Sequence, residues 1–577
     1  MGRVSKRSVL KKAGLIGCGI VALAIGTAAV ADDDLFLVSK NLDIFSSVYK
    51  ELNINYVDDV NTTSLMRKSI DDMLASLDPY TEYVPESDIE DYKLRYVSTQ
   101  YGGIGASIFS RNSRVYIADV FRDFPAQKAD IRAGDQILAV NGTPMVGKTS
   151  EDVNQMLRGP KNGAITLKLM RPGSTAPIEK KLVRDEIKQP NVSYSGMVEG
   201  NIGYIKLDKF LENAAEEVRG SFVELKKKNP SGIVLDLRNN GGGILQEAVK
   251  IVNFFVNRDV EVVSQRGKVK EKNATYRTQN EALDAGIPLV ILVNNRSASA
   301  SEIVAGSLQD LDRAVVIGQR SYGKGLVQQT FSLPYNGLVK ITIAKYYTPS
   351  GRCIQALDYT HRTTAGNVEK VADSLITEYK TKAGRSVYDG SGIYPDIFVK
   401  NERYAQITQT LLRKFLVFDY ANVFRNNHGN ISDAKNFTLS DAEYGEFLKY
   451  ISIKDYSYST QTESILAQLK TEADREKKFN DIKKEYDALQ TQFASGKKND
   501  LQENRAEIKR ILETEIVGRY FYDTGRLEKS FTYDKDLAKA REMISNKPVF
   551  ASILKGEGSY KVIGKPSAAL TAQAVTE

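Results

Sequence analysis

Apolar residues fall at three- and four-residue spacing near both ends of the chain and at alternate or continuous positions between them. From Leu42 to Tyr56, Leu42, Phe45, Val48, Tyr49 and Leu52 recur with a helical period. A second run follows through Leu65, Ile70, Met73, Leu74 and Leu77, until Asp78-Pro79-Tyr80 ends it. Nothing in these two predicted helices converges chemically, so they read as a packing element. Between about Tyr96 and Glu186 the pattern shortens to strands with glycine turns: Val115-Tyr116-Ile117, Asp135 to Val140, and Ala164 to Leu169. One helix, Glu151 to Leu157, interrupts them. From about Val192 to Lys400 strands and helices alternate, which predicts an α/β core.

Two junctions in that core stand out. Ile233 to Arg238 is a strand running into Asn239-Asn240-Gly241-Gly242-Gly243 and a helix through Ile244, Ala248 and Ile251. Pro288 to Val293 is a buried strand running into Asn295-Arg296-Ser297-Ala298-Ser299-Ala300-Ser301-Glu302 and a second helix. Beyond about Asn401 the chain is helical and charged. Phe479, Ile482, Tyr486, Leu489 and Phe493, then Ile508, Ile511, Leu512 and Ile516, flank a Gly496-Lys497-Lys498-Asn499 turn. That pattern predicts a helical hairpin packed on the core, with a partner-binding arm as the alternative. The expected divisions are 1–31, a leader; 35–94, helical; 95–187, strands with glycine turns; 188–400, the α/β core; and 401–577, a helical extension.

Composition adds few surprises. A chain of 577 residues with 42% hydrophobic and 26% charged residues is an ordinary globular protein of several domains. Its net charge of +8 is spread along the chain with Lys and Arg interleaved among Asp and Glu, so nucleic-acid binding is not expected. The first residues change the picture more. Arg3, Lys6, Arg7, Lys11 and Lys12 precede an uncharged stretch from Ala13 to Ala31, which ends in Ala29-Val30-Ala31. A basic head, apolar middle and small-x-small end describe a secretory signal, and the stretch is also long enough for an uncleaved membrane anchor. Leu15-Ile16-Gly17-Cys18 as a lipoprotein site ranks third, because too little apolar sequence precedes Cys18. In each case the remainder is expected to be exported, periplasmic or in the cell envelope, with membrane contact only through 13–31. Only Cys353 would follow a cut at Ala31, so the mature chain can form no internal disulfide.

The candidate chemistry lies in the serine junction and in Arg320-Ser321-Tyr322-Gly323-Lys324-Gly325 downstream. A serine needs an adjacent base to attack a carbonyl. The chain has only two histidines, His361 and His428, and neither sits in a context that suggests a triad; both read as surface or loop residues. A lysine can serve instead if burial destabilises its ammonium. Gly323 and Gly325 would let the backbone approach closely, and Leu326 and Val327 suggest an apolar setting. Asp236 and Arg238, two apart on a strand, share a face and could form a plain buried ion pair; Glu302 lies one helical turn from Ser299. No metal or cofactor is expected.

Two resemblances sharpen this. Tyr101-Gly102-Gly103-Ile104-Gly105-Ala106, Phe124 to Ala129 and Ile131 to Gly142 resemble a PDZ domain of the kind found in bacterial proteases. Gly102, Gly103, Ile104 and Gly105 would then offer backbone N–H groups to a peptide's terminal carboxylate while the peptide adds as a strand. The segments Val234 to Gly243, Ser297 to Gly306, Gly323 to Gln328 and Tyr347 to Arg352 resemble the C-terminal processing peptidases, the tail-specific S41 serine proteases with an inserted PDZ domain. The resemblance implies a crotonase-like α/β catalytic core of mixed strands and helices. It makes Ser299 the nucleophile, Lys324 the base 25 positions on, and Gln328 the residue that orients the lysine. Ser297 and Ser301 then become helix-capping groups. The N–H groups of Ala300 and Gly242 are the expected oxyanion donors, and Asp236, Arg238 and Glu302 the supporting residues. Gly241 departs from the family, in which many members have proline there. The implied partners are proteins or peptides with accessible C-termini, and a homo-oligomer is left open. A non-catalytic peptide-binding scaffold on the same fold is the alternative; an acyl-thioester enzyme would rest on fold alone.

Overall fold

The computed structural model describes residues 32–98, 100–362, 368–372, 375–497 and 499–557. The expected leader, 1–31, lies outside them. No helix among the described residues is long and apolar enough to cross a membrane. The chain divides into two compact units, 1–83 and 84–577. In the first, helix α1 (Asp32–Asn55) starts ten residues before the apolar period does, and α2 is Thr62–Ala75. Asn61 caps α2 by accepting the Ser64 N–H at 2.9 Å. Asp78 then stops it as expected, accepting the N–H groups of Tyr80 and Thr81 at 2.8 Å each. Phe36, Leu42, Phe45 and Val48 of α1 remain exposed, so its apolar stripe is not the core element that the pattern suggests.

The second unit begins with α3 (Ile89–Tyr96) and continues into a small antiparallel sheet. Strands β1 (Gln100–Gly103), β2 (Ala106–Arg111), β3 (Arg114–Val120) and β4 (Gln136–Val140) lead to α4 (Ser150–Leu157). Then follow β5 (Ala164–Met170), β6 (Ile178–Val183) and β7 (Asp185–Lys188). The sheet order is β2-β3-β4-β5-β6, and β1 pairs with β7 apart from it. The inward residues Val115, Ile117, Ile137, Leu167 and Leu169 build its core with Val153 and Leu157 of α4. Strand β2 is an edge, with an unpaired row of backbone groups beside α4.

The α/β core is a six-stranded sheet of β8 (Val192–Val198), β9 (Ile202–Leu207), β10 (Gly232–Asp236), β13 (Leu289–Val293), β14 (Val315–Gly318) and β17 (Ile397–Phe398), paired in that order. All neighbours are parallel except β8 and β9. Strands β10 and β13 are wholly buried, which requires both faces to be covered. Helices α5 (Ala214–Lys226), α6 (Leu245–Asn253) and α7 (Ala300–Asp310) cover one face through Val218, Phe222, Ile251 and Val304. Beside them β11 (Glu261–Arg266), with β12 (Ala274–Arg277) on its outer edge, pairs with the long hairpin of β15 (Leu326–Ser332) and β16 (Leu338–Tyr347).

The other face is covered from the helical region beyond residue 401. Helices α8 (Gln406–Arg413), α9 (Leu416–Asn427), α10 (Asp441–Ile451) and most of α13 (Arg505–Ser530) form a separate helical core through Leu411, Phe424, Phe447, Ile508, Leu512 and Ile516. The predicted hairpin at 479–516 is thus split. α11 (Gln461–Arg475) pairs instead with α12 (Phe479–Lys497), and both leave apolar side chains such as Leu469 and Leu489 exposed. The last helices, α14 (Lys535–Ser545) and α15 (Lys547–Lys555), return to the sheet. Leu537, Ala540, Ile544, Phe550 and Ile553 pack on Tyr204, Val234, Val290, Leu292 and Ile317. Helices α14 and α15, with Leu527 and Phe531 just before them, therefore complete the α/β core by covering the strands' second apolar face.

Candidate active site

Both loop motifs emerge from adjacent parallel strands, β10 and β13, at their carboxyl ends, where an α/β sheet opens a crevice. Two serines lock them together. The Ser297 hydroxyl donates to the Leu237 carbonyl at 2.8 Å and accepts the Asn294 N–H, while Ser301 donates to the Asn240 carbonyl at 2.9 Å. Neither is the expected helix cap; each clamps the serine loop to the glycine loop. The N-cap of α7 is Ser299 itself, at φ 57° and ψ −115°, a backbone conformation that an L-residue adopts only under constraint. Glu302 closes the turn from both sides: its side chain accepts the Ser299 N–H at 2.8 Å, and its own N–H donates to the Ser299 carbonyl at 2.8 Å. Ser299 lines the cleft.

Glu302, fully buried, ties this turn to the lysine loop. Its Oε2 accepts the N–H of Ser299 at 2.8 Å and of Lys324 at 2.9 Å, and its Oε1 accepts the N–H of Gly323 at 2.7 Å and the Ser321 hydroxyl at 2.5 Å. Burial raises its pKa, and those four bonds oppose the rise. The lysine loop is pressed close from the far side. A Cβ at Gly323, where φ is +90°, would lie 2.4 Å from the Ala356 side chain, and one at Gly325 would lie 2.8 Å from the Gln355 N–H. Lys324 is half-buried and lines, with Ser299, Gln328 and the run Gly241 to Gly243, one cavity of 870 Å³. The Gln328 amide donates to the Thr342 hydroxyl at 3.1 Å, so Gln328 is tied across the hairpin.

The expected oxyanion donors fare differently. The Ala300 N–H, the first of α7, makes no hydrogen bond among the described residues. The Gly242 N–H, by contrast, donates to the Asn240 side chain at 2.9 Å and is already engaged. Gly242 has another duty. A Cβ there would lie 2.6 Å from the Ala298 carbonyl and 2.8 Å from the Ala300 N–H, so only glycine leaves the space in front of that donor open. Gly241 meets nothing within 4 Å.

Asp236 and Arg238 do not face the cleft. Arg238 binds Asp236 at 2.6 Å, Asp534 at 2.7 Å and Asp536 at 2.9 Å, joining β10 to the start of α14. Burial pushes the Asp236 carboxyl up, but Arg238, Lys206 and the Tyr204 hydroxyl outweigh it and hold the group well below the ordinary range. The ion-pair reading is the one the structure carries. Three residues that sequence reasoning missed do belong to the site. Asn240 organises the glycine run, Ser321 holds Glu302, and the Tyr346 hydroxyl donates to the Ser299 carbonyl at 3.2 Å. Asn240 and Ser321 lie beside motif residues; Tyr346 reaches the site only through the hairpin. His361 falls in the strand Leu357–Arg362, and His428 stacks on Phe424 away from the cleft lining.

A second cavity, of 280 Å³, lies between β2 and α4. Gly103, Ile104 and Gly105 line it, with Tyr101, Leu157 and Arg158. Gly102 does not; it lies against the Gly159 carbonyl, where a Cβ would come within 2.0 Å. Lys209 lines both cavities, and the neighbours Leu94 and Arg95 of α3 line one each.

The family model of peptidase family S41 matches residues 201–362, that of the PDZ domain 96–170, and that of a probable PDZ-protease C-terminal helical domain 407–544. A probable CtpA-like serine protease of Staphylococcus epidermidis is 36% identical over 318 residues, 54% of this chain and 63% of that protein. The solved photosystem II D1 C-terminal processing protease aligns with 62% of this chain and 92% of its own at 26% identity and a TM-score of 0.34. The carboxy-terminal-processing protease of Bartonella bacilliformis is 36% identical over 325 residues, 56% of this chain and 74% of that protein. The chain belongs to this PDZ-containing family of carboxy-terminal-processing serine proteases, peptidase family S41.

Proposed function

We propose that the chain is an exported endopeptidase working through a Ser299–Lys324 dyad. The observation that carries this reading is the Glu302 carboxylate, which bonds the backbone of both residues and so fixes a strained serine and a glycine-flanked lysine on one cavity. In its neutral form the Lys324 amine takes the proton from the Ser299 hydroxyl as the oxygen attacks the scissile carbonyl. The oxyanion that develops is met by the free Ala300 N–H at the positive end of α7. With the Gly242 N–H engaged, the second donor is a neighbouring N–H of the glycine run, Gly241 or Gly243, neither of which is bonded among the described residues. The protonated lysine then gives its proton to the leaving amine, and water repeats the sequence on the acyl-enzyme.

Substrate tails dock at the cavity beside β2, adding as a strand to its open edge with the terminal carboxylate at Gly103, Ile104 and Gly105. The adjoining segment passes Lys209 into the cleft. The basic and apolar residues 3–31 direct export. Ser299→Ala and Lys324→Ala should each abolish cleavage of a peptide bearing a free C-terminal tail while leaving the circular-dichroism spectrum unchanged. Turnover by either variant at the parent rate would refute the dyad. Failure of a fluorophosphonate to label Ser299 in the parent chain would favour the scaffold reading.

A further inference from the structure

The charges around the cleft are one-sided. Apart from Lys324, whose amine is neutral when it acts as the base, its lining contains Arg95, Lys209, Lys272 and Lys340 against a single acid, Asp208, and Asp208 is itself paired with Lys206 at 3.3 Å. Three of the cations are held by neutral groups. Lys272 Nζ lies 2.9 Å from the Gln329 side-chain oxygen and 4.3 Å from the centre of the Phe331 ring. Lys209 Nζ donates to the Gln189 side chain at 3.2 Å, and the Arg95 guanidinium lies 5.9 Å from the centre of the Tyr96 ring. Amide oxygens and rings orient a cation without cancelling its charge. Among the described residues none of these three pairs with a carboxylate.

A neighbouring cavity of 680 Å³ between α5, α6 and β12 shows the ordinary arrangement. Its charged lining is balanced, Glu216, Glu247 and Glu281 against Arg219, Lys250 and Arg277, and Arg219 and Lys250 bind Glu216 and Glu247 at 3.0 and 2.6 Å. Unneutralised cations around a partly enclosed cleft repel one another and focus a positive potential into it. That arrangement is stabilised by an anionic occupant. Because Lys209 also borders the docking cavity, the chain of a docked tail meets the cations on its way to Ser299.

We infer that this peptidase selects substrates with an acidic stretch, Asp or Glu, between the docked C-terminus and the scissile bond. The inference rests on the peptidase reading, and its test separates the two. Three peptides sharing one tail and one cleavage segment would carry three Glu, three Gln or three Lys residues in the intervening stretch. With the full chain at low salt, kcat/KM should be about tenfold higher for the Glu peptide than for the Gln peptide, and lowest for the Lys peptide. The difference should shrink in roughly 0.5 M salt, where exposed charges are screened within a few ångströms. Lys209→Glu and Lys272→Glu, made together, should reverse the order of the Glu and Lys peptides.

Equal kcat/KM for all three would overturn the acidic preference and leave the peptidase reading standing. Should none be cleaved, binding to the Ser299→Ala chain decides. Tighter binding of the Glu peptide, lost in the Lys209→Glu, Lys272→Glu background, would keep the preference while removing the hydrolytic reading. Competition by inorganic polyphosphate or a single-stranded oligonucleotide as strong as that by the Glu peptide, at equal charge, would overturn peptide selection in favour of a general anion site.

Discussion

Glu302 accepts the backbone N–H of Lys324 at 2.9 Å through the same Oε2 that receives the N–H of Ser299 at 2.8 Å. One carboxylate thus ties the backbone of Ser299 to that of Lys324. Glu302→Gln should disturb both, since an amide NH2 cannot accept the donors that now converge on one of the oxygens. A loss of about 1–3 kcal/mol in stability and of roughly 100-fold in kcat is expected, from urea denaturation and from turnover of a tail-bearing peptide. The parent's pH profile should carry the same signature. Burial sets the folded pKa of Glu302 above its unfolded value, so its contribution to stability is largest below the ordinary carboxylate pKa and is lost as pH rises through the folded one. In the Gln variant that alkaline-going loss should vanish.

Asp236 carries the opposite sign. Arg238 and Lys206 hold its folded pKa below the unfolded value, so its stabilisation is present above the ordinary carboxylate range and disappears as pH falls toward the folded pKa. Asp236→Asn should flatten the acid limb of the stability curve and cost about 3–5 kcal/mol, the scale for breaking a buried ion pair. Denaturation midpoints measured across the acid range would check both.

Adjacent glycines should respond in contrary ways. Gly242→Ala places a methyl 2.8 Å from the Ala300 N–H at a φ of +94°, and should lower kcat by about 100-fold with little change in KM. Gly241→Ala meets open space and should gain roughly 0.4–1 kcal/mol by restricting the unfolded chain. Steady-state kinetics and thermal melts of the pair separate site geometry from chain entropy.

Ile544 lies far along the chain from the catalytic loops but packs under Val234 and Val290. Ile544→Ala should therefore destabilise the peptidase core itself by about 2–5 kcal/mol. Hydrogen exchange in β10 and β13 should rise with it. Exchange confined to the helical region 407–530 would contradict the packing.

Much of this was legible along the chain. Continuous apolar runs at Ile233 and Leu289, each ending in a loop rich in small residues, announce buried parallel strands, because such runs are stable only between two covered faces. Ser299, Lys324 and the strand-turn-helix contexts follow from local order, as does the PDZ domain from its glycine turns. What covered the second face was not legible. The period of α14 and α15 identifies an apolar stripe and is silent on its partner, so a stretch that reads as an extension turns out to close the core.

The sequence by itself determined most of the elements and the family, since periodicity, turns and motif order are properties of near neighbours. Tertiary structure alone decided that Glu302 bridges the serine and lysine loops, that Gly242 spends its N–H on Asn240, and that Asp236 and Arg238 hold the start of α14. It also decided that cations interleaved with acids along the chain gather at one cleft. Each depends on groups brought within a few ångströms by packing, and hydrogen bonds and charges act over that distance in space, whatever the separation in sequence.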